Sequence, residues 1–207
     1  MTIRRGEQWG EAVAAPRDLL VASTDATARA AIAFARAGGT QVPPIGFAAG
    51  DLARTMGGGA PGRFPGTVTK ATIDVVRVDA AGERTWAVAH VVARRRGWAG
   101  WWRGEVLLAM NAEFLGQYDV APRSHPNDGR IDLVHVAAAM GVRTRLQARK
   151  KARTGTHLPH PQIDARQAAQ ATVAFSRPLD VWVDGVRWRR AGELKLTVEP
   201  DALVAYA

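Results

Sequence analysis

The sequence predicts an α+β fold, in which a short α/β part is followed by a longer part made mainly of strands. Three observations predict it: a strand–helix pattern in the first sixty residues, a glycine-rich interruption at 57–62, and a series of short β-branched segments afterwards. A series of short strands separated by turn residues is typical of a sandwich or an open barrel. We therefore divide the chain into residues 1–62 and residues 63–207.

The first part contains two strand–turn–helix units. Leu19–Ala22 is a short apolar strand, and Ala26–Ala37 is an alanine-rich helix with a polar capping residue within 23–25. A second unit runs from the apolar segment Pro44–Phe47 into a helix within residues 50–56. Units of this kind suit a parallel, Rossmann-like arrangement.

The second part is predicted to consist mainly of β-strands. Asp184-Gly185 separates two short apolar segments and predicts a tight hairpin turn. A long ordered loop, Asn111–Asp132, separates two further strands and ends in the turn sequence Asn127-Asp128-Gly129. The predicted strands are Thr72–Val78, Thr85–Val92, Val106–Met110, Ile131–Val136, Thr172–Phe175, Val181–Val183, Val186–Trp188 and Leu194–Val198.

Composition excludes several classes of protein. The 207 residues are 47% hydrophobic, which is enough for a sizeable core, and they include no cysteine. Disulfides, thiolate nucleophiles and cysteine metal sites are therefore excluded. No apolar run approaches the roughly 20 residues that span a bilayer, and residues 1–7 lack the apolar core of a secretory signal. We expect a cytoplasmic protein, with peripheral attachment to a membrane as an alternative.

The formal net charge of +9 is unevenly distributed along the chain. Residues 1–60 are nearly neutral, and no carboxylate occurs between Asp132 and Asp164. Such a concentration of cations favours an anionic partner, such as lipid headgroups, nucleotide phosphates or nucleic acid, although a solvated helix face would look the same. The cations of the predicted anion-binding segment are Arg143, Arg145, Arg149, Lys150, Lys151 and Arg153.

Three tryptophans follow three arginines in the segment Arg94–Gly104. Aromatic rings beside cations suit a membrane interface, where the ring lies in an apolar layer and the indole N–H stays hydrated. They also suit stacking on nucleic-acid bases. The alternative without a ligand is a loop whose tryptophans pack onto the strands.

Several of these motifs resemble the C-terminal domain of the diacylglycerol kinase and related lipid kinase family, whose fold is like that of NAD kinases. The resemblance depends on Asn111, Ala121-Pro122, Asp128-Gly129 and the Asp184-Gly185 hairpin. It implies a C-terminal β-sandwich preceded by a Rossmann-like nucleotide-binding part. That part resembles a truncated remnant, because only 22 residues precede Ser23.

The resemblance also identifies two altered nucleotide loops. Lipid kinases of this type carry a Gly-Gly-Asp-Gly-Thr loop, and the corresponding residues Ser23–Thr27 keep Asp25 and Thr27 but none of the glycines. Glycines there let backbone N–H groups approach phosphates. The second family loop, Gly-Thr-Gly-Asn-Asp, corresponds to residues 47–51 and keeps Asp51. Asp25, Thr27 and Asp51 are thus the candidate nucleotide-binding residues, and a helix N-cap is the alternative role for Asp51.

The hairpin near the C-terminus bears on catalysis. In the family it reads Asp-Gly-Glu, and the glutamate is the proposed general base for the lipid hydroxyl. This chain has Val186 at that position, and valine cannot accept a proton. Asp184 is the remaining candidate for a catalytic base, and a turn residue is its alternative role.

The resemblance implies a structural Mg²⁺ in the long loop. By motif position, Asp128 would supply a carboxylate, and His125 and Arg130 would supply backbone carbonyls. Oxygen ligands are what Mg²⁺ prefers. The alternative is a turn aspartate that accepts hydrogen bonds from its own loop. His157 and His160 are too few for a zinc site.

Three functional hypotheses follow. The favoured one is a degenerate lipid kinase relative, a pseudoenzyme that binds lipid, nucleotide or a protein partner. The second is an active ATP-dependent lipid kinase acting on a diacylglycerol-like hydroxyl, and the third is a basic nucleic-acid-binding protein. The altered loops argue against tight ATP binding. The expected partners are an anionic membrane surface or lipid and a second copy of the chain, ahead of nucleic acid.

Overall fold

β-strands make up most of the computed structural model, which describes residues 9–59 and 64–207. The N-terminal segment 1–7 and the end of the glycine-rich run 57–62 lie outside these residues. The strands are β1 (Glu11–Ala14), β2 (Leu20–Ala22), β3 (Ile45–Phe47), β4 (Thr67–Ala80), β5 (Glu83–Ala87), β6 (His90–Arg94), β7 (Val106–Met110), β8 (Phe114–Leu115), β9 (Tyr118–Asp119), β10 (Ile131–Val136), β11 (Ile163–Ala168), β12 (Gln170–Val183) and β13 (Val186–Tyr206). The α-helices are α1 (Asp25–Ala37), α2 (Asp51–Thr55) and α3 (Val142–Lys151), and short 3-10 helices cover Trp98–Trp101 and Ala152–Thr154.

One large sheet organises the molecule. Its main path runs β1-β4-β13-β12-β6-β7-β10-β11, and each neighbouring pair on this path is antiparallel. β5 pairs with β4, while β8 and β9 form a separate small hairpin. With α1, α2 and α3 added to this sheet, the predicted α+β class is confirmed.

The N-terminal unit is a parallel strand–helix–strand arrangement, as predicted. β2 and β3 pair in parallel on either side of α1, and β3 also pairs in parallel with the end of β13. Thr24 caps α1, because its side-chain oxygen accepts the Thr27 N–H at 3.1 Å. Because β3 pairs with β13, both β2 and β3 belong to the large sheet. The division at residue 62 stays a prediction.

Two predicted positions in the N-terminal and central parts are wrong. Asp51 is not the N-cap of α2: Gly50 holds that position with φ +117°, and Asp51 is the first helical residue. The predicted strand Thr85–Val92 is in fact two strands that break at Val88 and Ala89. The break occurs because backbone N–H groups there donate to a side chain instead of to a neighbouring strand, as described below.

The C-terminal hairpin is confirmed and is longer than predicted. Val183 pairs with Val186 across the Asp184-Gly185 turn, whose residues have φ of +49° and +81°. Positive φ at both central residues is what a type I′ turn needs. The short strands predicted at Thr172–Phe175 and Leu194–Val198 are central pieces of β12 and β13.

The largest hydrophobic cluster lies within the sheet itself. It includes Val78, Leu107, Leu133, Val181 and Leu194, all nearly inaccessible to solvent. None of the described helices contributes a residue to this cluster. Strands that lie far apart in the sheet order share this core, and no described helix covers it. The sheet therefore curls so that its two parts pack face to face, as in a β-sandwich.

Two further clusters place the helices. Ile32 of α1 and Leu52 of α2 pack with Ile73 and Leu203, which attaches the N-terminal unit to the ends of β4 and β13. Ala148 of α3 belongs to a third cluster on the β7–β10 side of the sheet. In the described residues, no helix is both long and apolar enough to span a bilayer.

Candidate functional site

Three aspartates meet where α1, α2 and the β12–β13 turn come together. Asp25 and Asp51 are the first residues of their helices, and Asp184 is the first residue of the turn. The Asp51 N–H donates to Oδ2 of Asp25 at 2.7 Å. A carboxylate at the N-terminal end of a helix is stabilised by the free N–H groups there. The structure thus brings two candidate nucleotide-binding residues and the remaining candidate base, Asp184, into one cluster.

Asp25 is an unusually perturbed carboxyl group. It is 6% exposed, and its Oδ1 atom is buried without a partner among the described residues. Burial raises the pKa of Asp25 to about 7, the negative charges of Asp184 and Asp51 add to the rise, and the N–H groups of Asp51 and Leu52 oppose it. Near neutral pH, Asp25 is therefore only partly ionised.

Gly50 is fitted to Asp25. A Cβ atom at residue 50 would lie 2.4 Å from Oδ1 of Asp25, and the φ of +117° is itself unfavourable for residues with a side chain. A larger residue could occupy this position only if Asp25 moved. The glycine therefore lets the Asp25 carboxyl lie directly against the start of α2.

Asp184 holds the break between β5 and β6. Its Oδ2 accepts the Val88 N–H at 3.0 Å, and its Oδ1 accepts the N–H groups of Ala89 and His90 at 2.9 and 3.0 Å. Burial raises the pKa of Asp184 to about 6, against these three hydrogen bonds. Both oxygens are thus engaged in supporting the backbone, which favours the turn role. The catalytic role stays a prediction, and nearby Val186 is exposed and cannot titrate.

His90 completes the cluster and was not a candidate from the sequence. It is buried, and its Nδ1 lies 3.5 Å from Oδ2 of Asp51 but forms no hydrogen bond within the described residues. Burial lowers the pKa of His90 to about 4, so the ring is neutral at pH 7. A lone histidine in an apolar strand gives no sequence signal for a site, which explains the omission.

Asp51 also connects this cluster to a neighbouring cavity. Its Oδ1 accepts the Gly116 N–H at 2.8 Å, while Arg54 of α2 donates to the Gly116 carbonyl at 2.7 Å. Gly116 lies in the turn of the small β8–β9 hairpin and lines the cavity. The start of α2 and the cavity wall are thus joined through one glycine.

The cavity has a volume of about 420 Å³ and largely apolar walls. They come from the sheet, from α3 and from the segment before β7, so several elements build the cavity. The polar side chains in the walls are those of Arg145, Arg149, His157 and Tyr118. Apolar residues from each side are Trp101, Leu108, Val134, Met140, Ala148 and Ile163.

His157 presents an unused polar atom beside the cavity. It is 6% exposed, and its Nδ1 has no hydrogen-bond partner among the described residues. Burial lowers the pKa of His157, so the ring is neutral. His160 uses its own Nδ1 to accept the Gln162 N–H. The structure gives no pairing between these two histidines, and no group of three or more metal-binding side chains occurs in the described residues.

Arg145 was predicted to belong to an anion-binding surface, and this prediction is wrong. Its side chain is 5% exposed and donates to the backbone carbonyls of Trp101, Gly104, Ala137 and Met140. The guanidinium therefore holds α3 against the segment before β7 and is buried beneath the protein surface. Five donors on a rigid plane suit this role.

The other cations of the predicted surface are exposed. Arg149 is partly engaged, because its Nε donates to the Tyr118 hydroxyl at 2.6 Å and its guanidinium lies over the Trp102 ring. It therefore borders the cavity as well as the surface. The exposed cations of this segment are Arg143, Arg149, Lys150, Lys151 and Arg153.

The Asp128 loop has the geometry of a local turn. Oδ1 of Asp128 accepts the Arg130 N–H at 2.9 Å, and the His125 carbonyl accepts the Asp128 N–H at 3.3 Å. Asp74, which the sequence did not single out, is fully buried and accepts the N–H groups of Gly129 and Asp201. Burial raises the pKa of both carboxyls to about 6, and the negative charges of Asp132 and Asp74 add to the rise at Asp128. The Mg²⁺ at Asp128 stays a prediction.

Comparison with known proteins identifies the domain. A family model described as the YegS C-terminal NAD kinase beta sandwich-like domain matches residues 70–206. The chain belongs to this family. The YegS-type domain covers all strands from β5 to β13 and nearly all of β4, and it includes Asp128, Asp184 and the whole cavity.

Solved structures agree with this YegS-type fold. A candidate diacylglycerol kinase from Bacillus anthracis str. Sterne matches with a TM-score of 0.64 and 11% identity, over 91% of this chain and 77% of that one. A diacylglycerol kinase from the same organism matches with a TM-score of 0.56 and 14% identity, over 91% and 75% of the two chains. At such identities the likeness shows the fold alone. No curated protein sequence matches the chain.

Within the YegS-type chain, residues 23–27 have a defined local structure. The Thr27 N–H donates to the Thr24 side chain, and the two hydroxyl oxygens lie 2.9 Å apart. Thr24 is therefore the cap of α1, and the assignment of this segment to a phosphate loop stays a prediction. Thr27 contacts this cap, whereas Asp25 points to α2.

Proposed function

We propose that this protein is a diacylglycerol kinase-like protein that binds a diacylglycerol-like lipid and whose phosphoryl transfer is lost or severely impaired. The observation that carries the proposal is the apolar cavity of about 420 Å³ beside the start of α2. We also propose a cytoplasmic location with peripheral attachment to membranes.

The cavity suits a lipid by size and chemistry. Ligand pockets usually measure roughly 300–1,000 Å³ and combine apolar walls with a few fixed polar groups. Here His157, Arg149 and the Tyr118 hydroxyl lie among aliphatic and aromatic walls. Acyl chains would contact the walls, and the polar groups would contact ester or hydroxyl oxygens.

Phosphoryl transfer is disfavoured because the chain itself occupies the places where phosphate oxygens would bind. Catalysis of this reaction depends on positioned donors and charge around the phosphates. The Asp51 N–H is taken by the Asp25 carboxyl, and the Thr27 N–H is taken by Thr24. An incoming phosphate would compete with a buried carboxyl group, and Val186 offers no base. ATP is therefore not proposed as a tightly bound cofactor.

A structural Mg²⁺ at the Asp128 loop would take a carboxylate oxygen of Asp128, with the backbone carbonyls of His125 and Arg130 beside it. Burial raises the pKa of Asp128, the negative charges of Asp132 and Asp74 add to the rise, and a nearby cation would relieve that repulsion. In this proposal the ion stabilises the loop, and its role is structural.

Filling the cavity should weaken lipid binding. Ala148 is 9% exposed and lines the cavity, so Ala148→Phe places a ring where an acyl chain would lie. We expect the affinity for a short-chain diacylglycerol to fall at least about tenfold, as if roughly two methylene groups were displaced. Binding is measured by isothermal titration calorimetry below the critical micelle concentration of the lipid.

Ala30→Phe on α1 is the matched control, because Ala30 is exposed and lies outside the cavity. Circular dichroism melting of both variants establishes that they are folded. If wild-type protein shows no heat of binding, or if both variants bind as the wild type does, the cavity is not the lipid site.

An active lipid kinase is the second candidate, because the chain keeps the candidate nucleotide-binding residues Asp25, Thr27 and Asp51. We expect no phosphorylated product above background when the protein is incubated with labelled ATP, Mg²⁺ and diacylglycerol-containing vesicles. Product that disappears in the Asp25→Asn variant, with Asp164→Asn as the control, would establish the kinase instead.

A further inference from the structure

One loop joins two different features of the surface. Residues 95–104 begin beside a cleft at Arg95 and Arg96 and end at the cavity wall with Trp101 and Trp102. Between these points lies Trp98, whose side chain is 81% exposed. A single exposed apolar residue is ordinary, but exposed apolar groups that occur together with a polar rim mark interaction sites.

The cleft at the start of this loop is rich in arginine. It has a volume of about 330 Å³, and Asp180 is the acidic residue that lines it. Asp180 accepts a hydrogen bond from Arg187 at 2.6 Å, so its charge is neutralised within the cleft. The arginine cleft, as we call it, consists of Arg95, Arg96, Arg177, Arg187 and Arg190.

The arginine cleft therefore keeps a positive excess that the molecule does not use. Among the described residues, no carboxylate forms an ion pair with Arg95, Arg96 or Arg177. Several guanidinium groups around one concave space provide the bidentate donors that a phosphate group needs. The chemistry of the cleft thus favours a phosphate-bearing ligand.

Exposed apolar side chains adjoin the same loop. Val142 and Leu146 lie one turn apart on α3 and are 41% and 51% exposed. Arg145 lies beside them and holds this turn of α3 against the carbonyls of Trp101 and Gly104. Exposed apolar groups and exposed cations thus occur together on two segments that are fixed to each other.

We propose that the surface formed by residues 95–104 and the exposed side chains of α3 docks on a bilayer that contains anionic phospholipid. A lipid phosphate would bind in the arginine cleft, and Trp98 would lie at the interface. A bilayer explains both the cations and the exposed apolar groups, whereas a nucleic acid would leave Val142 and Leu146 without partners. The inference rests on the proposed function: docking would bring the cavity, whose wall includes Trp101 and Trp102, next to the membrane that holds its lipid.

Vesicle sedimentation tests the proposal. The protein should sediment with vesicles of phosphatidylcholine and phosphatidylglycerol, more weakly at high salt, and much less with phosphatidylcholine alone. Trp98→Ala should weaken binding roughly tenfold. The double variant Arg95→Gln/Arg96→Gln should weaken it about 25-fold, since each cation near an anionic surface contributes about a factor of five.

Two matched controls accompany these variants. Phe34→Ala removes an aromatic side chain that is 84% exposed on α1, and Arg17→Gln removes an exposed cation before β2. Both should bind vesicles as the wild type does. Equal binding to both vesicle types, or no loss in the loop variants, would overturn the proposal, as would salt-sensitive binding to duplex DNA without vesicle binding.

The two proposals fail separately. Ala148→Phe should still sediment with anionic vesicles, because Ala148 lines the cavity and not the arginine cleft. Trp98→Ala should still bind a short-chain diacylglycerol in solution. If the protein binds vesicles but not the dissolved lipid, the docking proposal stands and the lipid-cavity proposal is wrong. If it binds the dissolved lipid but not vesicles, the lipid-cavity proposal stands and the docking proposal is wrong.

Discussion

Replacing Asp184 by alanine is expected to lower the free energy of unfolding by about 4 kcal/mol, because three buried N–H groups lose their acceptor. These groups belong to Val88, Ala89 and His90, where the backbone passes from β5 to β6. A φ of +49° at residue 184 adds a smaller cost for alanine. For a chain of this size the melting temperature should fall by roughly 10 °C.

Urea unfolding followed by tryptophan fluorescence measures this loss. Asp184→Asn is the matched variant, because asparagine tolerates positive φ and keeps one acceptor oxygen, so it should lose markedly less stability. Hydrogen exchange adds a local reading: the amides of residues 88–90 should exchange faster in Asp184→Ala. If Asp184→Ala lowers the free energy of unfolding by less than about 1 kcal/mol and the amides of residues 88–90 exchange as in the wild type, the proposed structural role of Asp184 is wrong.

Asp184 also illustrates what the sequence could and could not predict. Asp184-Gly185 predicted its own hairpin turn, because positive φ at two successive residues is a local requirement that these residue types meet. The break of the predicted strand Thr85–Val92 depends on the same aspartate, which lies about ninety-five positions further along the chain. No local pattern in the strand could reveal that distant acceptor.

Arginine placement marks a second boundary of sequence-based prediction. Arg143 and Arg145 look alike in a basic segment, and both were predicted to belong to an anion-binding surface. One is exposed, and the other is buried under four carbonyl acceptors. The difference arises from the packing of α3 against the segment before β7, which composition and periodicity do not encode.

Tertiary structure also decides the roles of the tryptophans and the cavity. The sequence left open whether the tryptophans pack or stay exposed, and the structure divides them: Trp98 is exposed, while Trp101 and Trp102 line the cavity. The cavity itself is built from six or more separate segments. The basic segment and the family resemblance both indicated lipid, but the apolar residues that line the cavity come from segments far apart in the sequence and could not be named.

The Asp25 carboxyl is predicted to destabilise the fold at neutral pH, so Asp25→Asn should be more stable than the wild type. The pKa of Asp25 rises from 3.8 to about 7 on folding, so the native state binds this proton more tightly than the unfolded chain. The penalty is absent below pH 4 and grows as the pH rises to about 7. At pH 8 the variant should gain about 4 kcal/mol, or roughly 10 °C in melting temperature.

Comparison of the two proteins across pH isolates this residue, because Asp74, Asp128 and Asp184 are the same in both. The difference in free energy of unfolding should be small at pH 4, should increase up to about pH 7 and should level off at higher pH. Asp164→Asn removes an exposed carboxyl on β11, so its free energy of unfolding should stay close to that of the wild type at every pH. If the difference in free energy of unfolding between Asp25→Asn and the wild type does not change with pH, the pKa of Asp25 is not raised by folding. A gain that grows with pH would mean that the chain keeps this carboxyl against α2 in spite of its cost, and the lipid-binding and kinase assays of the same variant would then reveal which activity requires it.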